Sequence, residues 1–303
     1  MQISDSYPVL SRIVDLQLQT FPQHTAFIER RLVDVSPEQF AFLEQTAVQI
    51  QKLCGDNLQE YLDDYAWLAD EVLKEELAFR RTGRYRLSTF EEAERTVYAD
   101  PVYMRRYMNG LLLTQLWWRN HSLAIQFYRD EFLNQIPAGS DFLEIGPGHG
   151  LLLFLATQSK AANLSAWDVS PTSLKNTEHA LKALGATRGV TLNCQNLFDA
   201  PAEKFDRITF SEVLEHLDEP LKALKVLRSL LNDGGKLYVH APANSPAPDH
   251  LHLFKHPQDV VDMIAEAGFS IDKSAFYPGT GATLDRAIKF DLAVSVVAIA
   301  TAI

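Results

Sequence analysis

The chain has 303 residues, 47% of them hydrophobic and 22% charged, proportions of a folded protein large enough for two domains or for one domain with an extension. Lysine and arginine total 28 against 39 aspartates and glutamates, a net charge of −11. With no long basic run, that balance excludes nucleic acid as an expected partner and disfavours an anionic membrane.

No stretch reaches the ~18 apolar residues of a membrane span, and the opening MQISDSYPVLSR lacks a charged segment followed by an apolar one. A cytoplasmic protein without a secretory leader is therefore expected. Cys54 and Cys194 offer neither a disulfide framework nor a zinc spacing and are read as reduced thiols.

Residues 1–138 carry helical period almost throughout. Ser36-Pro37 is a cap followed by an N1 proline, and Phe40, Leu43, Ala47 and Ile50 recur at helical spacing until Gly55 stops the run. A second helix is predicted from Leu58 to about Phe79, ending at Thr82-Gly83. Asp100-Pro101 repeats the cap-and-proline signal and leads an apolar helix toward Trp117 and Trp118, and another helix covers about 121–135.

From Asp141 the period changes. Short apolar runs at 142–145, 164–167, 190–194, 207–210 and 236–240 alternate with helix-length segments, the pattern of a parallel sheet covered on both faces. The runs 269–277 and 293–300 add two strands with no helix predicted between them, an antiparallel pair at one edge. The expected architecture is an α/β, Rossmann-like, mostly parallel seven-stranded sheet with an antiparallel edge hairpin, over 139–303. An all-helical region, 1–138, precedes it.

Asp141-Phe-Leu-Glu-Ile-Gly-Pro-Gly-His-Gly150 runs a strand into a glycine turn and a helix. Gly146, Gly148 and Gly150 allow a sharp turn and close approach of a nucleotide-like ligand. The spacing is G-x-G-x-G and not the dinucleotide G-x-G-x-x-G. Asp168 closes the next strand, the place for a carboxylate that accepts from ribose hydroxyls. LEIGPGHG and AWDVS resemble the first two motifs of class I S-adenosylmethionine-dependent methyltransferases. The resemblance extends over 139–277 through Gln195 to Asp199, the stretch from Phe205 to Leu217, Leu231 to Leu237, Asp249 to His252 and Ala267 to Phe269.

That resemblance implies S-adenosylmethionine as cofactor, with Glu144 and the glycine turn holding its methionine part. Asp168 would take the ribose, Asn196, Leu197 and Phe198 the adenine, and Ser211 would complete the site. Glu212 and His216, four apart at the end of the fourth strand, are expected on one face near the carboxyl edge of the sheet, where open α/β sheets bind ligands. They and His121 are the candidate catalytic residues, with His216 the first choice of base.

Asp249, His250, His252 and His256 form a second polar cluster, read as a lip over the acceptor pocket. With no Cys or His partner at a defined spacing and no carboxylate-rich magnesium site, no metal is expected. Tyr107, Trp118, Arg119, His250 and His252 are the candidate substrate contacts, on the reading that the helical region is a lid over a small-molecule pocket and a possible homodimer contact. A second enzyme class resembles the same pattern: azetidine-2-carboxylate synthases, which cyclise S-adenosylmethionine and release methylthioadenosine. A non-catalytic S-adenosylmethionine-binding module is the third reading.

Overall fold

The structure, a computed structural model, describes residues 3–303; the first two residues of the opening stretch read as leaderless lie outside it. Among the described residues no helix is long and apolar enough to cross a membrane. The helical region contains α1 (Pro8–Thr20), α2 (Thr25–Leu32), α3 (Pro37–Cys54), α4 (Leu58–Thr82), α5 (Phe90–Ala93), α6 (Pro101–Trp117) and α7 (Arg119–Phe127).

Caps set these ends. Ser36 and Gln39 exchange a capping box at α3, Gly83 ends α4 in the left-handed conformation, and Asp100 accepts from the Val102 and Tyr103 amides at α6. Gly110 lets α6 lie close against α4, since a Cβ there would stand 2.8 Å from Leu68 Cβ. The helix predicted over 121–135 is α7 followed by a π-helical turn at Tyr128–Phe132 and a 3₁₀ turn at Leu133–Gln135.

Seven strands follow: β1 (Asp141–Ile145), β2 (Asn163–Asp168), β3 (Thr191–Cys194), β4 (Phe205–Ser211), β5 (Leu231–Ala243), β6 (Phe269–Pro278) and β7 (Val294–Ala302). Their order is β3-β2-β1-β4-β5-β7-β6, parallel from β3 to β5, with β7 antiparallel to both β5 and β6. After β1 the chain forms α8 (Leu151–Thr157), α9 (Pro171–Leu184), α10 (Pro220–Leu230), α11 (Pro257–Glu266) and α12 (Leu284–Lys289). The last corrects the expectation of no helix between the final strands: Thr283 caps a short helix there by accepting from the Arg286 amide.

Alternation along the strands divides the core. Leu237, Val239, Ala241, Val296, Ala298 and Ala300 face α10 and α11. Tyr238, Val297, Ile299 and Phe142 face the other way, onto Phe127, Tyr128 and Phe132 and onto α8 and α9. The expected division at 138/139 therefore cuts through one core, because α7 and the turns after it are part of the sheet's cover.

Candidate functional site

Strand β1 delivers the glycine turn to the carboxyl edge. Gly146, Gly148 and Gly150 hold φ of 67°, 52° and 74°, values that a β-carbon would strain. Glu144, on β1 two residues earlier, is buried, its Oε2 has no hydrogen-bond partner among the described residues, and burial pushes its carboxyl up to about 8. Asp168 accepts from the Ser170 amide at 2.8 Å and from Ser173 Oγ at 2.6 Å, which fixes its orientation and leaves each oxygen a further lone pair. An orphaned buried carboxyl, a glycine cradle and an oriented acid fit the ammonium, sulfonium-bearing chain and ribose of S-adenosylmethionine. The Leu151 amide donates to His149 Nδ1, so a side chain has already taken one amide at the start of α8.

Asn196, Leu197 and Phe198 lie on the turn after β3. Asn196 Oδ1 accepts from the Phe198 amide, Leu197 is buried in the core, and Phe198 is half-exposed with Lys222 Nζ 5.1 Å from its ring centre.

The glycine turn abuts the segment after β4: a Cβ on Gly146 would come within 2.8 Å of Val213 Cγ2. No α-helix carries Glu212 and His216, which corrects the expectation that the two share one face. Glu212 adopts a left-handed φ of 53°, a costly conformation for a residue with a β-carbon, and His216 ends a 3₁₀ turn at Leu214–His216. The two side chains diverge. Glu212 Oε1 lies 2.9 Å from His240 Nε2. Burial opposes its charge, but His240 and His121 overcome this and hold the carboxyl at about 2. Ser211 Oγ is 3.3 Å from His240 Nδ1.

His216 turns the other way. Its Nδ1 is 3.0 Å from the Asp249 carbonyl and its Nε2 3.6 Å from Glu215 Oε1. The Glu215 carbonyl accepts from the Leu251 and His252 amides, both at 2.9 Å, which seats the 249–252 loop on this turn. His250 thereby stacks edge-on to His216 at 5.0 Å between ring centres, its Nδ1 2.6 Å from the Ser245 carbonyl. Burial and the nearby Glu212 push Glu215 up to about 8, against His216. Burial opposes the charge of His216, yet Asp249 and Glu215 raise its pKa; burial holds His250 at about 4.

The helical region reaches the same place. Tyr107 donates to Asp249 Oδ1 at 2.7 Å and Tyr98 to Oδ2 at 3.2 Å. Tyr85 accepts from the Ser245 amide at 3.0 Å. His121 is buried, 2.9 Å through Nδ1 from Thr114 Oγ1, with its ring edge-on to Trp118 and to His240. Arg119 is exposed in a surface notch with Arg31, Gln39 and Ser122. His252 packs on Phe254, and His256 caps α11; of the four polar residues expected to cluster, the site gathers Asp249 and His250.

Sequence reasoning did not single out His240, Glu215, Tyr98 or Tyr85. His240 ends the predicted strand 236–240 beside Ser211, its register partner, so strand position was an available signal; Tyr98 lies in a segment with no periodic pattern.

A family model described as a methyltransferase domain matches residues 117–277. A ubiquinone biosynthesis O-methyltransferase of Xanthomonas axonopodis pv. citri is 34% identical over 117 residues, 37% of this chain and 46% of that protein. The corresponding protein of Xanthomonas euvesicatoria pv. vesicatoria is also 34% identical, over 116 residues. The chain thus spans about half the length of the curated relatives it matches. The pyocyanin biosynthetic protein PhzM shares the fold at a TM-score of 0.54 and 16% identity, over 81% of this chain and 72% of PhzM.

Proposed function

This chain belongs to the class I S-adenosylmethionine-dependent methyltransferase family, and from that premise we propose that it methylates a small polar or aromatic acceptor enclosed between the helical region and the carboxyl edge of the sheet. The observation that carries this reading is the contact between the glycine turn and the segment bearing Glu212, because it puts an ionised acid beside the cofactor cradle. S-adenosylmethionine supplies a methyl group already activated on a sulfonium, so the protein's work is alignment, exclusion of water and removal of the acceptor's proton.

Glu212, whose side chain is 33% exposed, faces the cleft and accepts a hydrogen bond from the acceptor, while His240 behind it holds the carboxylate in place. His121 and Trp118 wall the cleft on the helical side, and Tyr107 with Tyr98 tie that wall to Asp249. The relatives' names support oxygen as the accepting atom.

The test is mass spectrometry after incubating purified protein with S-adenosylmethionine, with and without a metabolite extract. S-adenosylhomocysteine together with an acceptor heavier by one methylene is expected. Methylthioadenosine formed without extract would replace this reading by cyclisation of the azetidine-2-carboxylate kind. Tight binding with neither product would reduce the chain to a binding module.

A further inference from the structure

We propose that Glu215, His216 and His250 bind a divalent transition-metal cation whose open coordination positions face the acceptor cleft. The inference rests on the acceptor occupying that cleft, and it adds a site the sequence does not disclose. The histidines of 249–256 lack a partner at any defined spacing in the chain; the fold supplies two, through the seating of the 249–252 loop on the Glu215 carbonyl.

Three features point to an ion. One donor atom from each side chain lies within 4.8 Å of the others. In tetrahedral zinc sites donors stand about 3.4 Å apart, so a small rotation of the side chains closes the set. Second, both oxygens of Glu215 are buried and lack a hydrogen-bond partner among the described residues, although an unpaired buried acceptor is costly.

Third, both histidines are oriented as ligands. The Nδ1 atoms of His216 and His250 lie 3.0 Å and 2.6 Å from the carbonyls of Asp249 and Ser245. An Nδ1–H donated to each carbonyl leaves Nε2 as the nitrogen that a cation can take. Metal-binding histidines usually hold their other ring nitrogen to a carbonyl in this way. Asp249 lies outside the set of converging donors; with Tyr107 and Tyr98 donating to its oxygens, it holds His216 in place and links the site to the helical region.

Two imidazoles and one carboxylate suit zinc, cobalt, iron(II) or manganese better than calcium or magnesium. Three protein ligands leave room for an acceptor oxygen, whose proton a bound cation makes easier to remove.

The test uses the full chain after chelation and dialysis, titrated with Co²⁺ and followed by visible absorption, with Zn²⁺ stoichiometry from elemental analysis. S-adenosylhomocysteine affinity is measured on the same samples. One ion per chain is expected, with affinity reduced about a hundredfold in Glu215→Gln and in His250→Asn while S-adenosylhomocysteine still binds. Failure of the unmodified chain to take up either ion, or equal affinity in both variants, overturns the site. Loss of S-adenosylhomocysteine binding in the unmodified chain would instead strike at the functional reading.

Discussion

Glu144 shows how one buried side chain links cofactor binding to stability. Its carboxyl is raised to about 8 by burial, above the ordinary value near 4.3 that it regains on unfolding. The folded state therefore holds a proton that the unfolded chain releases. The stability this contributes is full below the unfolded pKa and is lost as pH rises through the folded one. Glu144→Gln cannot ionise, so its melting temperature should fall less than that of the unmodified chain between pH 5 and 8. The same substitution removes the anion meant for the ligand's ammonium, and S-adenosylhomocysteine affinity should drop about ten- to a hundredfold, since a charged hydrogen bond is worth roughly 1.5–3 kcal/mol. Thermal unfolding across pH, with calorimetry at pH 8, checks both; parallel melting curves would remove Glu144 from the account.

At the scale of elements, the approach of α6 to α4 depends on Gly110. Alanine there would gain up to about 1 kcal/mol of helix propensity, but its Cβ would meet Leu68 Cβ at 2.8 Å and the Asp64 carbonyl at 3.0 Å. Overpacking of that kind costs about 1–3 kcal/mol, so the clash wins and Gly110→Ala should lower the melting temperature by a few degrees. Gly189→Ala, with nothing within 4 Å of its Cβ, serves as the control. Gly110 was not legible in the sequence, because a glycine inside a helical period looks the same whether it faces solvent or another helix. Helices announced by caps were legible: Ser36-Pro37 and Asp100-Pro101 start α3 and α6 where expected. So were the strands and the glycine turn, whose patterns are local. Opposed to these is the cluster of His216, Glu215, His250 and Asp249. It is joined by hydrogen bonds between segments over thirty residues apart, and no local period records them.

For the molecule as a whole, the sheet's cover decides what can be separated. Phe142, Tyr238, Val297 and Ile299 are packed under Phe42, Phe127, Tyr128 and Phe132, which all precede residue 139. Burial of each such side chain is worth about 1.5–3 kcal/mol, so uncovering four of them removes an amount comparable with the whole stability of a typical domain, about 5–15 kcal/mol. A chain cut to 139–303 should therefore fail to give a soluble, cooperatively melting protein. Starting at Trp118 instead keeps α7 and the π-helical turn over the sheet, and this longer fragment should fold and bind S-adenosylhomocysteine. It lacks Tyr98 and Tyr107, however, and with them the two hydrogen bonds that anchor Asp249. Acceptor methylation should then fall far more than cofactor affinity. Circular dichroism, melting and calorimetry on the two fragments compare these outcomes directly. A soluble, ligand-binding 139–303 would show that the sheet needs no cover from the helices before it, and would return the division to the position read from the period change at Asp141.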